Sequence, residues 1–117
     1  MSDIKIKKML DKHAAWLRGE DGGEKADLRG AYLLGAYLRD ANLRGADLDY
    51  SCWPLWCGSL GVKIDKRIFC QLAYHLCRTI VDDEECKAAQ RALYPLANQF
   101  HRVDECGRLQ VEEDNHD

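Results

Sequence analysis

The chain has 117 residues and six cysteines, a size that fits one compact domain with a modest core. No run of about 18 apolar residues occurs, which excludes a helical membrane span. A net charge of −3 is too small to argue for or against nucleic acid as a partner.

The first element in the chain is a helix over residues 3–18. Ile4, Leu10, Ala14 and Leu17 alternate with lysines at helical spacing, Asp3 is available as N-cap, and Gly19 offers a stop. The charged start MSDIKIKKML has no apolar stretch behind it, so it does not read as an export signal. The segment EDGGE is a turn.

Residues 26–50 then divide into blocks of five: ADLRG, AYLLG, AYLRD, ANLRG, ADLDY. Ala26, Ala31, Ala36, Ala41 and Ala46 hold the first position, and Leu28, Leu33, Leu38, Leu43 and Leu48 hold the third. A period of five matches neither a helix nor a flat strand, either of which would scatter the leucines over every face. The repeat therefore outranks any local reading of the segment.

These blocks resemble the pentapeptide-repeat family, whose pattern is A(D/N)LXX. The resemblance implies a right-handed, four-sided β-helix with the central Leu and the small residue two before it pointing inward. It also implies that four blocks make one turn, so that Leu48 lies over Leu28 and Ala46 over Ala26, with Arg29 near Asp49. The leading helix and the GGEKADL entry are similar to small bacterial and phage members, in which the helix plugs the open end of the coil. Pro54 is expected to end the regularity, because it has no N–H for a ladder. Trp53 takes the third position of the sixth block.

A coil of little more than one turn does not stand alone. Each buried leucine contributes about 1.5–3 kcal/mol, whereas fixing each residue's backbone costs about 1–2 kcal/mol. Caps are needed. Asp65 can cap a helix KRIFCQLAYHLCRTIV whose apolar face is Ile68, Phe69, Leu72, Ala73, Leu76 and Ile80. Asp82 or Asp83 can start another, and Pro95 kinks it or restarts it as PLANQFHRV. The expected class is α+β: a short pentapeptide β-helix capped by an N-terminal helix and a C-terminal helical region. The expected layout is a single domain over 1–110, with the N-terminal cap at 3–18, the coil at 26–53, a helical cap at 54–106 that is the candidate zinc-binding region, and a flexible acidic tail at 111–117.

In a reducing cytosol the cysteines suit metal ligation or burial better than disulfides. The expected structural Zn2+ site is Cys57, His75, His101 and Cys106, with Cys52 as alternate ligand displacing His75. Cys70, Cys77 and Cys86 read as packing residues. No catalytic motif is present: no H-E-x-x-H, no phosphate loop and no nucleophile elbow.

Outward coil positions should be polar, yet Tyr32, Leu34, Tyr37 and Tyr50 are not, and Arg29, Arg39 and Arg44 surround them. Tyr and Arg are the residue types of interface hot spots. They are either covered by the C-terminal helices or exposed as a docking face. The expectation is a non-enzymatic protein–protein interaction module in the cytoplasm of a bacterial host cell, with a surface that would allow a homodimer. Its sharpest form is a phage-encoded stoichiometric inhibitor of a bacterial nuclease or CRISPR effector (anti-CRISPR). Direct binding of nucleic acid through the basic first helix and the coil arginines, or a zinc-dependent enzyme, is the alternative.

Overall fold

The computed structural model describes residues 3–110, so the expectation for the acidic tail lies outside the described residues. In order, the elements are α1 (Asp3–Leu17), a coil of turns, a short 3-10 turn (Cys57–Ser59), α2 (Lys66–Cys77), α3 (Glu84–Ala97) and α4 (Val103–Cys106). The chain divides into two compact units, the first ending at Asp65 and the second starting at Lys66.

The β-helix of an α+β fold is corrected by this structure. Among the described residues there is no strand and no sheet, and the regular elements are helical. The repeat segment carries only isolated parallel bridges: Asp27 with Asp47, Tyr32 with Cys52, and Asn42 with Lys63. The cause lies in the block length. Each five-residue block spends its last residues turning a corner, so about one residue per side remains to pair, and isolated pairs do not make a ladder.

The corners follow one rule. The carbonyl of each repeat leucine accepts from the first residue of the next block, as in Ala31 N to Leu28 O (2.9 Å) and Ala36 N to Leu33 O (2.8 Å). The fifth residue of every block has positive φ: Gly30, Gly35, Asp40, Gly45 and Tyr50. A turn with φ > 0 at its third residue favours glycine there, and three of the blocks comply. The leucines all point inward, with Leu33 and Leu43 fully buried, and Ala26, Ala36 and Ala46 are buried beside them.

The register agrees with four blocks per lap. Leu28 N donates to Asp47 O (2.8 Å) and Asp47 N to Ala26 O (3.2 Å), so the fifth block stacks on the first. Winding then continues past the sequence repeat. Leu38 N donates to Gly58 O (2.7 Å), Leu43 N to Lys63 O (2.8 Å) and Lys63 N to Ala41 O (2.7 Å). Pro54 therefore does not end the coil. It is buried in the second lap, where the donor it lacks is not called on.

Helix α1 faces the coil with only part of the stripe its apolar pattern singles out, because Leu10 and Ala14 are half-buried there. Ile4 and Leu17 are exposed, whereas Ile6 and His13 are buried. His13 is fully buried, and its Nδ1 accepts from Ala26 N at 2.9 Å. That bond fixes the tautomer, so Nε2–H donates to Arg44 O at 2.7 Å. Trp16 stacks on His13 with ring centroids 5.3 Å apart. Gly23 passes so close to the Trp16 backbone that a Cβ would land on it. One imidazole thus ties α1 to the first and fourth blocks.

The second unit is a helical core. Ala73, Tyr74, Cys77, Ala97, Phe100 and Val103 pack together, flanked by Leu93, Tyr94 and Leu109. The expected face of α2 is partly wrong: Ile68 and Ala73 are buried, but Phe69, Leu76 and Ile80 are exposed, and Cys70, Tyr74 and Cys77 are buried instead. Asp83 caps α3 by accepting from Cys86 N at 2.9 Å. Pro95 lies inside α3, which runs on to Ala97 and does not restart there. Its missing N–H leaves the Arg91 carbonyl without the usual helical donor, a loss confined to the last turn of the helix.

Candidate functional site

The outward positions of the coil form the candidate site. Tyr32, Leu34 and Tyr37 are each about two-thirds exposed, at 64%, 66% and 60%, and Tyr50 is exposed as well. The side carrying Tyr32 and Leu34 stacks on the second lap at Cys52, whose N–H donates to Ala31 O at 2.9 Å. The second lap adds Leu55, 90% exposed, and the half-exposed Trp56. Trp56 is held in place: Nε1–H donates to Ala36 O at 2.8 Å, and its ring meets the Tyr37 ring edge-on with centroids 6.2 Å apart. Gly58 is glycine because a Cβ there would run into the Trp56 ring. An anchored Trp beside two tyrosines loses little side-chain entropy on binding, which is why such residues concentrate interface energy.

The three arginines differ. Arg29 is taken by its own block: Nε and Nη2 each donate to Asp27 at 2.8 Å, and Arg29 N donates to Asp27 Oδ1 at 3.2 Å. These bonds hold the Asp27 carboxyl at a pKa of about 2, below the ordinary carboxylate range. Asp49 contributes only a weaker attraction to Arg29. Arg39 and Arg44 are exposed, and the Arg44 main chain is fixed through Asn42 Oδ1 and His13.

The expected zinc ligands are distributed as follows. Cys52 and Cys57 are exposed in the first unit. In the second unit His75 and His101 both set their rings edge-on to Phe100, at 5.7 and 4.9 Å. Cys106 closes α4, and its carbonyl accepts from Arg78 Nη1 at 3.1 Å. Tyr74 Oη donates to Gly107 O (2.7 Å) and receives Arg78 Nη1 (2.6 Å), so this loop is tied to α2 by side chains. Among the described residues, no three His, Cys, Asp or Glu side chains converge to share a metal ion. Cys70 and Cys77 are buried, as packing residues should be, and burial raises the Cys77 thiol above its ordinary pKa. Cys86 is exposed and is not a packing residue.

His13, Leu55 and Trp56 were not singled out by the sequence. A helical histidine seven residues after Ile6 is the one signal that marked His13, since it shares that residue's face.

Comparison with known proteins gives one result. The family model described as pentapeptide repeats (8 copies) matches residues 24–52. The chain carries pentapeptide repeats over that segment, and such repeats are generally protein-interaction modules, structural rather than enzymatic. No curated protein and no solved structure is matched. No helix among the described residues is long and apolar enough to cross a membrane.

Proposed function

We propose that this protein is a non-enzymatic interaction module that binds a protein partner through the coil sides bearing Tyr32, Leu34 and Tyr37, extended by Leu55 and Trp56. The observation that supports this reading is the exposure of these apolar side chains at positions a solvated coil would fill with polar residues. Arg39 and Arg44 supply the cationic rim. Arg29, already paired with Asp27, presents a neutralised pair to a partner.

The narrower form is that the partner is a bacterial nuclease or CRISPR effector, held in a stoichiometric inhibitory complex. Its support is the likeness of the repeats and leading helix to small phage-type members. The test is capture from bacterial lysate with the wild-type chain, Leu34→Asp and Tyr37→Ala side by side, followed by titration of the captured protein. Both exposed-site variants should lose the wild-type partner while remaining folded. A captured enzyme should be silenced at one chain per active complex. Capture that ignores both variants would sink the coil-face reading, and substoichiometric inhibition with turnover would sink the inhibitor form.

A further inference from the structure

We infer that the groove between α1 and the coil is a second docking element, shaped for an acidic, apolar segment of a protein partner. This rests on the interaction-module reading above and gives the partner segment its chemistry. The groove measures about 550 Å3, within the range of sites that hold ligands or peptide side chains. Its apolar lining comes from Ile6, Leu10 and Ala14 of α1 and from Leu38 and Ala41 of the coil. The groove lies within the first unit, where His13 fixes α1 against the coil.

Charge selects the occupant. The charged residues lining the groove, Lys7 and Arg39, are both cations. Lys7 Nζ meets Asp11 at 3.3 Å, but both side chains are well exposed, so that pair is weak and an incoming carboxylate can compete for the ammonium. The Arg39 guanidinium offers the planar fork that takes a carboxylate through two parallel bonds. A phosphate backbone would satisfy the cations and leave the apolar floor unused. A segment with Leu or aromatic side chains beside an Asp or Glu uses both. Tyr37 lines the groove and also stands on the exposed coil side, so one partner can span the two.

The test pans a library of short random peptides displayed on phage against the full chain. Enriched sequences should place Asp or Glu next to Leu, Phe or Trp. For a synthetic copy of the best one, Kd should rise about tenfold or more with Arg39→Glu, the loss of one good charge pair. Replacing the peptide's acidic residue by Lys should restore binding to Arg39→Glu. Arg91→Glu, on α3 of the second unit, should leave that Kd unchanged. Enrichment of peptides without an acidic residue, or a Kd unmoved by Arg39→Glu, overturns the groove. Loss of partner capture in Leu34→Asp would still stand in that case, so failure of the groove is distinct from failure of the coil face.

Discussion

Replacing His13 by Ala should uncouple α1 from the coil, and the structure sets the size of the effect. The imidazole satisfies two main-chain groups at once, Ala26 N–H at 2.9 Å and Arg44 C=O at 2.7 Å. The side chain is fully buried, so truncation leaves both groups without their partner. Each orphaned group costs about 1–3 kcal/mol, and water entering the space recovers part of that. Loss of the ring that stacks on Trp16 adds to it. The expected destabilisation is about 3–4 kcal/mol, a large share of a small unit's stability. All three tryptophans, Trp16, Trp53 and Trp56, lie in the first unit, so urea unfolding followed by Trp fluorescence reports on that unit alone. His13→Phe keeps an aromatic ring of similar breadth and loses only the two bonds, so it separates bonding from packing. A shift below about 1 kcal/mol in His13→Ala would refute the clamp, because a lone hydrogen bond already accounts for that much.

Four further outcomes are expected. Tyr50 sits at positive φ where three other corners have glycine, so Tyr50→Gly should stabilise the first unit by up to about 1 kcal/mol, the left-handed cost less the entropy of glycine; a loss of stability in the same urea assay would contradict this. Asp27 has its folded-state pKa depressed from 3.8 to about 2, so its contribution is complete above about 4 and is lost as pH falls through about 2. Being exposed, it should give only a shallow acid loss, which Asp27→Asn removes from a pH series of unfolding midpoints. Alkylation followed by mass spectrometry should label Cys52, Cys57, Cys86 and Cys106 well before Cys70 and Cys77. Elemental analysis of chelator-free protein tests the expected zinc site: about one equivalent, lost in His101→Ala, supports the set Cys57, His75, His101 and Cys106, whereas folded protein without zinc removes it.

The first lap was legible because its period is a direct image of its geometry: one inward Leu and one inward Ala per side, repeated without exception. The absence of strands was not, since whether five-residue sides extend into ladders depends on corner hydrogen bonds that no residue type announces. The second lap was hidden for another reason. Once one lap exists, its carbonyls and N–H groups template the next, and residues 53–63 follow it without the Ala and Leu pattern that marked the first lap. The docking face of α1 was partly misplaced because hydropathy counts Ile4 and Leu17 and overlooks His13, whose burial depends on two backbone groups far away in sequence. On α2, Tyr74 and Cys77 outcompete Phe69 and Leu76 for the core because Phe100, in the turn between α3 and α4, meets the Tyr74 ring at 4.9 Å. The exposed tyrosines were legible as outward positions, whereas Leu55 and Trp56 joined them only through the unforeseen second lap.

The most direct test of the coil face is photo-crosslinking in bacterial cells, with p-benzoylphenylalanine placed at Tyr32, at Tyr37 and, for comparison, at the exposed Arg91 on α3. The account predicts that positions 32 and 37 yield one and the same protein adduct and that position 91 yields none. An adduct formed from position 91 while 32 and 37 remain silent would place the binding surface elsewhere and contradict it.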